Sequence, residues 1–324
     1  VSGLELSIII PAFNESGRLV EGFDRVQRAA HEGRLDLART QVIFVDDGSS
    51  DDTAQVAQDI TADLPHGVVV RQSPNQGKGA AVRAGVKAAT APRIVFTDAD
   101  LAIDPRQVPS LLDALDNSPL AVGTRAIGGH VDYGSWLRTR AGRSFNFLVR
   151  TLSNISLRDT QCGFKGARIG EAKVLFHFTT INGFAFDVEF LSRARGFGWN
   201  VAEVPVSWRD VPGSHVDVVR HSLTMLTDLT RARFRSASLP ALLGMDLVEG
   251  IDPHAIADAT AQTSLMAAPI LQGNDGTVTL LAALHSAAEA SPALLSLKQT
   301  LGSGVVRRVQ PKEIAQARGL TCAL

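Results

Sequence analysis

The sequence of 324 residues carries a formal net charge of −1, with 45% hydrophobic and 20% charged residues. That balance fits a globular protein of one large or two modest domains and argues against bulk attraction to nucleic acid. Its two cysteines, Cys162 and Cys322, show no Cys-x-x-Cys spacing, which excludes a disulfide framework or a cysteine zinc site and suits a reducing cytosol.

No secretory leader pattern and no apolar run of about 18 residues or more is visible, so a cytoplasmic chain without a membrane-spanning helix is expected. The run Leu6-Ser7-Ile8-Ile9-Ile10-Pro11 reads as a buried parallel strand. A polar loop, Ala12-Phe13-Asn14-Glu15-Ser16, follows, with Ser16 placed to cap a helix to about Ala30. Gln41 to Val45 is a second strand, ending in Asp46-Asp47-Gly48-Ser49-Ser50-Asp51-Asp52-Thr53 before a helix to about Leu64. Gly67 to Arg71 is a third strand, and Asn75-Gln76-Gly77-Lys78-Gly79 leads into an Ala-rich helix.

The fourth strand, Arg93-Ile94-Val95-Phe96-Thr97, ends in Asp98-Ala99-Asp100. Strand alternation would turn both carboxylates to one face, where a cation joining them relieves their repulsion. Oxygen-only ligation suits Mg²⁺ or Mn²⁺; the alternative is an ordinary polar turn. A helix from about Pro105 to Asp116 and a strand over Leu120 to Gly123 complete an α/β pattern of βαβ units around a mostly parallel sheet. Ligands of such sheets bind beyond the strands' carboxyl ends. Asn14, Glu15, Asp46, Asp47, Asp98 and Asp100 are all expected there.

Farther on, the pattern predicts a loop over 128–134, a helix over 136–153, a short strand over 164–168, a helix over 184–195 and a strand over 200–206. A second amphipathic helix runs from Val216 to Arg235. Residues 237–324 are rich in Ala and Leu and are expected to form a helical appendage to a main domain of residues 1–236. Breaks fall at Asp252-Pro253, Gly273-Asn274-Asp275-Gly276 and Ser291-Pro292.

The stretches 7–15, 45–53, 75–79 and 98–100 together resemble the inverting family 2 glycosyltransferases of GT-A fold. Arg158-Asp159-Thr160-Gln161-Cys162-Gly163-Phe164-Lys165, Phe186-Asp187-Val188-Glu189 and residues 203–208 resemble the glucosyl branch of the dolichyl- and polyprenyl-phosphate enzymes. The resemblance spans about residues 4–235. It implies a nucleotide-sugar donor, with UDP-glucose favoured and GDP-mannose the alternative, and a metal held by Asp98 and Asp100. Pro11, Asn14 and Glu15 would line the nucleoside pocket, Asp46 or Asp47 would read the base, and Lys78 would approach the diphosphate. The competing readings are a turn former for Asp47 and a solvated helix start for Lys78.

The resemblance also places Arg125 near a donor or acceptor phosphate and Asp159, with Gln161, near the reacting centre. Arg138, Arg140 and Arg143 are either an acceptor head-group site or a solvated helix face. Two departures stand out: Ala102 occupies a position often held by a polar metal ligand, and His215 one usually held by Lys. His215 can still contact a diphosphate, with a charge that depends on pH.

The expected chemistry is in-line displacement with inversion. A phosphate acceptor needs no general base, whereas a hydroxyl acceptor needs one, with Asp159 and Asp187 the candidates; Asp187 reads equally as a helix-start carboxylate. The Val216 to Arg235 helix either lies in a membrane interface or packs on the sheet. The rival readings are a soluble glycosyltransferase whose tail shapes an acceptor site or a homodimer contact, and a non-catalytic nucleotide-sugar sensor. A sugar nucleotidyltransferase would need a Gly-rich loop after the first strand, and a hydrolase a Gly-x-Ser-x-Gly elbow; neither occurs.

Overall fold

The computed structural model describes residues 3–125, 155, 157–209 and 228, and the backbone of strands at 131–132, 242–247, 269–272, 278–283, 305–309 and 320–322. The expected helices over 136–153 and from Val216 to Arg235, together with Arg138, Arg140, Arg143 and His215, lie outside the described residues, Asp228 apart.

A seven-stranded sheet organises the chain. Its strands are β1 (Leu6–Ala12), β2 (Thr40–Asp46), β3 (Gly67–Arg71), β4 (Arg93–Phe96), β5 (Leu120–Thr124), β7 (Lys165–Arg168) and β8 (Val201–Pro205), in the order β3-β2-β1-β4-β7-β5-β8. Pairs β1–β2, β2–β3, β1–β4 and β5–β8 are parallel, while β7 runs antiparallel between β4 and β5. Strand order reverses between β1 and β4, which opens a crevice at their carboxyl ends. A small parallel pair, β6 (Val131–Asp132) and β9 (Trp208–Arg209), lies apart from the main sheet.

Every residue of β1 and β2 is buried, as continuous apolar runs require of strands covered on both faces. Side chains alternate between two cores. Ile9, Ile43, Ile94 and Phe96 pack with helices α3 (Lys78–Ala88), α5 (Ile169–Phe178) and α6 (Phe186–Gly196). Ile8, Ile10, Val42, Phe44 and Val95 pack with α1 (Ser16–His31), α2 (Thr53–Ala62) and α4 (Val108–Asn117). In the first core Phe96 sits edge-on to Phe176 and Phe190 at 6.1 and 5.8 Å between ring centroids.

Two local expectations are corrected. Ser16 does not cap α1; Glu15 holds that position, and the Ser16 N–H is satisfied by Asp51 Oδ2 at 3.3 Å. The described parts of the tail are strands, not helices: β10 (Leu242–Leu247), β11 (Pro269–Gln272), β12 (Val278–Ala283), β13 (Val305–Val309) and β14 (Leu320–Cys322) form an antiparallel sheet ordered β13-β10-β12-β11-β14. The Ala/Leu content favours helix on average, but Val278-Thr279 and Val305-Val306 are β-branched. Gln272 pairs with Val278, which sets β11 and β12 side by side and antiparallel. Strands β11, β12 and β14 pack against α5.

Candidate active site

The loops after β1 and β2 are stapled together side chain to backbone. Asn14, at a φ of 54°, accepts from the Ser50 N–H through Oδ1 at 2.9 Å, and its own N–H donates to Ser49 Oγ at 2.9 Å. The Glu15 N–H donates to Thr53 Oγ1 at 2.8 Å. Glu15 is salt-bridged to Arg18 at 2.8 Å, and Arg18 Nη1 lies 3.9 Å from Asp100 Oδ2. Arg18 therefore ties the first loop to the acidic turn. Pro11 is buried within β1.

Asp46 and Asp47 are buried. Asp46 Oδ1 accepts from the Ser49 N–H and Oδ2 pairs with Arg71 at 3.2 Å. Asp47 uses both oxygens on the glycine-rich loop, accepting from the Gln76 N–H at 2.9 Å and the Gly77 N–H at 2.7 Å. Burial raises the Asp47 carboxyl above its ordinary value against those two hydrogen bonds. Asp47 is thus the anchor of the loop that delivers Lys78. Gly77, at a φ of 101°, makes the turn into α3 in a conformation that disfavours any side chain.

The carboxylates of Asp98 and Asp100 do not share a strand face. β4 ends at Phe96, and residues 98–101 form a turn closed by the Leu101 N–H to the Asp98 carbonyl at 3.0 Å. Leu101 takes a φ of 44°, which a large side chain rarely adopts. The two carboxyl groups still feel each other. Asp100 is raised by burial and then by the Asp98 charge. Asp98 is lowered: burial opposes its charge, but Lys78, with Lys165 and Arg125 behind it, wins. Lys78 Nζ bonds directly to Asp98 Oδ1. Burial alone would lower the Lys78 ammonium, and Asp98 and Asp187 reverse the sign and raise it. Lys78 is not a solvated helix start.

Opposite this turn stands a second charged cluster. Arg125, just after β5, grips Asp159 with two parallel bonds, Nε to Oδ2 at 2.7 Å and Nη2 to Oδ1 at 3.0 Å, and adds its backbone N–H at 3.2 Å. Burial would raise Asp159, but this fork lowers it below its ordinary value. Arg125 also lies 6.0 Å from the Trp208 ring centroid. Asp187, near the start of α6, is buried and bonded to Lys165 at 2.7 Å. Burial raises its carboxyl despite Lys165. Lys165 is fully buried in β7 and donates also to the Cys162 carbonyl at 2.5 Å. Cys162 is buried, its thiol pushed up to about 11 by burial, in keeping with a small core side chain rather than a nucleophile.

The structure therefore gathers Asp98, Asp100, Lys78, Arg125, Asp159 and Asp187 around the carboxyl ends of β4 and β5, with Glu15 joined through Arg18. Sequence reasoning missed Arg18, Lys165 and Gly163 as parts of the site. The signal for Lys165 is a lysine set between Phe164 and the small residues Gly166 and Ala167. Gly163 has none until the fold is seen.

The acidic turn fits a hard divalent cation. Asp98 and Asp100 offer oxygen only, and among the described residues no group of three or more His, Cys, Asp or Glu side chains gathers as a metal cage. Two carboxylates with the remaining positions left to water and phosphate oxygens match the habit of Mg²⁺.

Comparison with known proteins identifies the family and the fold. Residues 7–175 match the model of the family described as "Glycosyl transferase family 2". A dolichyl-phosphate β-glucosyltransferase of Dictyostelium discoideum is 31% identical over 247 residues, spanning 72% of this chain and 76% of that protein. The dolichyl-phosphate β-glucosyltransferase of Homo sapiens is 33% identical over 249 residues, spanning 71% and 75%. Among solved structures, glucosyl-3-phosphoglycerate synthase from Mycobacterium tuberculosis with Mn²⁺, UDP-glucose and phosphoglyceric acid shares the fold. It has a TM-score of 0.54 at 20% identity over 72% of this chain and 81% of the other. The same synthase has also been crystallised with Mg²⁺ and UDP.

Proposed function

This chain belongs to glycosyl transferase family 2, and on that premise we propose that it moves glucose from UDP-glucose to the phosphate of a polyprenyl carrier lipid. The names of its relatives support the sugar and the acceptor, and the fold neighbour bound to UDP-glucose supports the donor. No helix among the described residues is long and apolar enough to cross a membrane. In this reading the segment from Val216 to Arg235 meets the lipid surface.

The observation that carries the acceptor class is the state of the two candidate bases. Asp159 has both oxygens held by Arg125, and Asp187 is salt-bridged to Lys165. A hydroxyl acceptor would need a base that takes its proton, a contribution of roughly 10²–10⁴-fold. A phosphate monoester, with a second pKa near about 6, arrives ionised. Burial raises Asp187, the one feature that favours a hydroxyl acceptor; the Lys165 bridge opposes it.

In this mechanism the acceptor phosphate attacks the anomeric carbon from the face opposite the nucleotide, and configuration inverts. Asp98 and Asp100 would hold Mg²⁺ or Mn²⁺, which supplies charge stabilisation for the departing diphosphate. Lys78 exchanges its bond to Asp98 for a diphosphate oxygen. Arg125, fixed by Asp159 and flanked by Trp208, orients the acceptor phosphate. Lys165 holds the Asp187 side chain at the floor of the site through their 2.7 Å bond. Pro11, Asn14 and Glu15 border the nucleoside.

The test is transfer from UDP-glucose, with GDP-mannose in parallel, to a polyprenyl phosphate, to the matching polyprenol and to soluble alcohols, with and without chelator. The expected outcome is metal-dependent glucolipid from the phosphate alone. Glucosylation of polyprenol or a soluble alcohol at a comparable rate would overturn the acceptor assignment.

A further inference from the structure

A cavity of about 710 Å³ opens between α1, residues 102–107 and residues 207–209, and shares Trp208 with the surroundings of Arg125. Its volume is within the range of about 300–1,000 Å³ usual for small-molecule sites. Four guanidinium groups line it, Arg25, Arg28, Arg106 and Arg209, against two carboxylates, Glu32 and Asp104. Arg106 takes both carboxylates, at 2.6 Å to Asp104 and 3.5 Å to Glu32. Arg25 also acts on Asp104, whose carboxyl is lowered against burial by its bonds to Arg106 and, in part, by the Arg25 charge. Arg25 spends its donors on the carbonyls of Leu101 at 2.8 Å and Asp100 at 3.4 Å. Arg28 donates to the Asp24 carbonyl at 3.3 Å and makes no ion pair among the described residues. Among the described residues the Arg209 guanidinium makes no ion pair. An arginine stays charged at any ordinary pH, so the described lining carries four fixed positive charges against two carboxylates.

The walls are built, not incidental. The Gln107 side chain bonds both ways to Ser207, accepting from its N–H at 2.7 Å and donating to its carbonyl at 3.0 Å. The Arg209 N–H donates to the Ala102 carbonyl at 3.1 Å, and Ile103 bridges Trp208. These contacts fix residues 102–107 against residues 207–209 and set Arg209 across from α1. A cation-lined recess with preformed walls is the arrangement that selects a phosphate group, whose oxygens accept paired guanidinium bonds.

We propose that this cavity is a second anion site, which takes a small phosphate-bearing molecule on Arg28 and Arg209, independently of the donor phosphates at Lys78. Nothing in the glycosyl-transfer reading requires such a site. The phosphate can come from a soluble metabolite or from an anionic lipid head group; the chemistry is shared. Through Arg25, the occupant would lie one side chain from the carbonyls of Asp100 and Leu101.

The probe is inorganic pyrophosphate, titrated calorimetrically into the full chain without divalent metal. Three proteins are compared: wild type, Lys78→Gln, and Arg28→Gln/Arg209→Gln, whose exposed side chains leave the cores untouched. Saturable binding is expected in the first two, weakened at least tenfold in the double variant and weakened in wild type by high salt. No saturable binding in wild type, binding lost in Lys78→Gln, or equal binding by the double variant would overturn the site. Sedimentation with phosphatidylcholine vesicles, with and without phosphatidic acid, then identifies the source. Retention on the anionic vesicles that needs Arg28 and Arg209 assigns a lipid head group, and pyrophosphate binding without such retention assigns a soluble anion. Sugar transfer is not the readout, so the result is separate from the fate of the proposed function.

Discussion

The Asp98 carboxylate rests on the bare Cα of Gly163. A methyl group at that glycine would stand 2.1 Å from Asp98 Oδ2 and 2.5 Å from its Cγ. Gly163 follows Cys162, which also accepts the Lys165 ammonium through its carbonyl. One short turn therefore sets the position of the acidic group and anchors the buried lysine beneath it.

Gly163→Ala is expected to push Asp98 aside and lower the transfer rate by about 10²-fold, the size of loss that misplacing a reacting group by about 1 Å brings. The far-ultraviolet circular dichroism should be unchanged, and Mn²⁺ binding, followed by electron paramagnetic resonance, should weaken. Full activity in this variant would mean that Asp98 need not hold its observed position.

Lys165→Met leaves the Asp187 carboxylate buried without its partner. Breaking a buried pair in this way costs about 3–5 kcal/mol, whereas replacing both members by apolar groups is often neutral. Urea unfolding should show Lys165→Met strongly destabilised and Lys165→Met/Asp187→Leu largely recovered. If the double variant is no more stable than the single, the pair is not the local source of stability.

Asp159→Asn removes the charge that holds the Arg125 fork. Asp159 has a depressed carboxyl in the folded state. Its contribution to stability is therefore fully present above the unfolded value of about 4 and is lost as pH falls through the lower folded value. The stability difference between wild type and Asp159→Asn should be constant from pH 7 to pH 5 and shrink below about pH 4. A difference that instead grows in acid would contradict the Arg125–Asp159 geometry.

Glu171 in α5 shows the opposite sign. It is buried, Oε2 has no hydrogen-bond partner among the described residues, and burial pushes its carboxyl up to about 7 from an ordinary 4.5. The folded state holds this proton longer than the unfolded chain, so the group costs stability as pH rises from 4.5 to about 7. Glu171→Gln should stabilise the protein at pH 8 by on the order of 2 kcal/mol and by little at pH 4. Thermal melts at the two pH values decide it; an equal gain at both would rule out the titration.

Much of this was legible beforehand for physical reasons that differ from place to place. Strands β1, β2 and β4 are covered on both faces, so their sequences are near-continuous apolar runs, and the carboxylates after them mark one sheet edge. Strand β7 was harder, because Lys165 interrupts its pattern; the neighbouring Asp187 and the Cys162 carbonyl make that charge tolerable inside. Helix α5 was not expected at all, since Ile169, Val174, Leu175, Phe176 and Phe178 bury most of its faces and leave no clear amphipathic period. The role of Asp47 turned on its partners, the N–H groups of Gln76 and Gly77, which sequence separation hides. In the tail, average composition masked short β-branched segments.

The bonds between Asn14, Ser49, Ser50 and Thr53 have a consequence for engineering. The segments after β1 and β2 form one plate, each supplying hydrogen-bond partners that the other lacks. A nucleotide preference transplanted from a relative by exchanging a single segment would leave the Asn14 and Glu15 amides facing strangers. Exchange as a matched pair preserves the plate, and the effects of substitutions at Asn14 and Ser50 will not add.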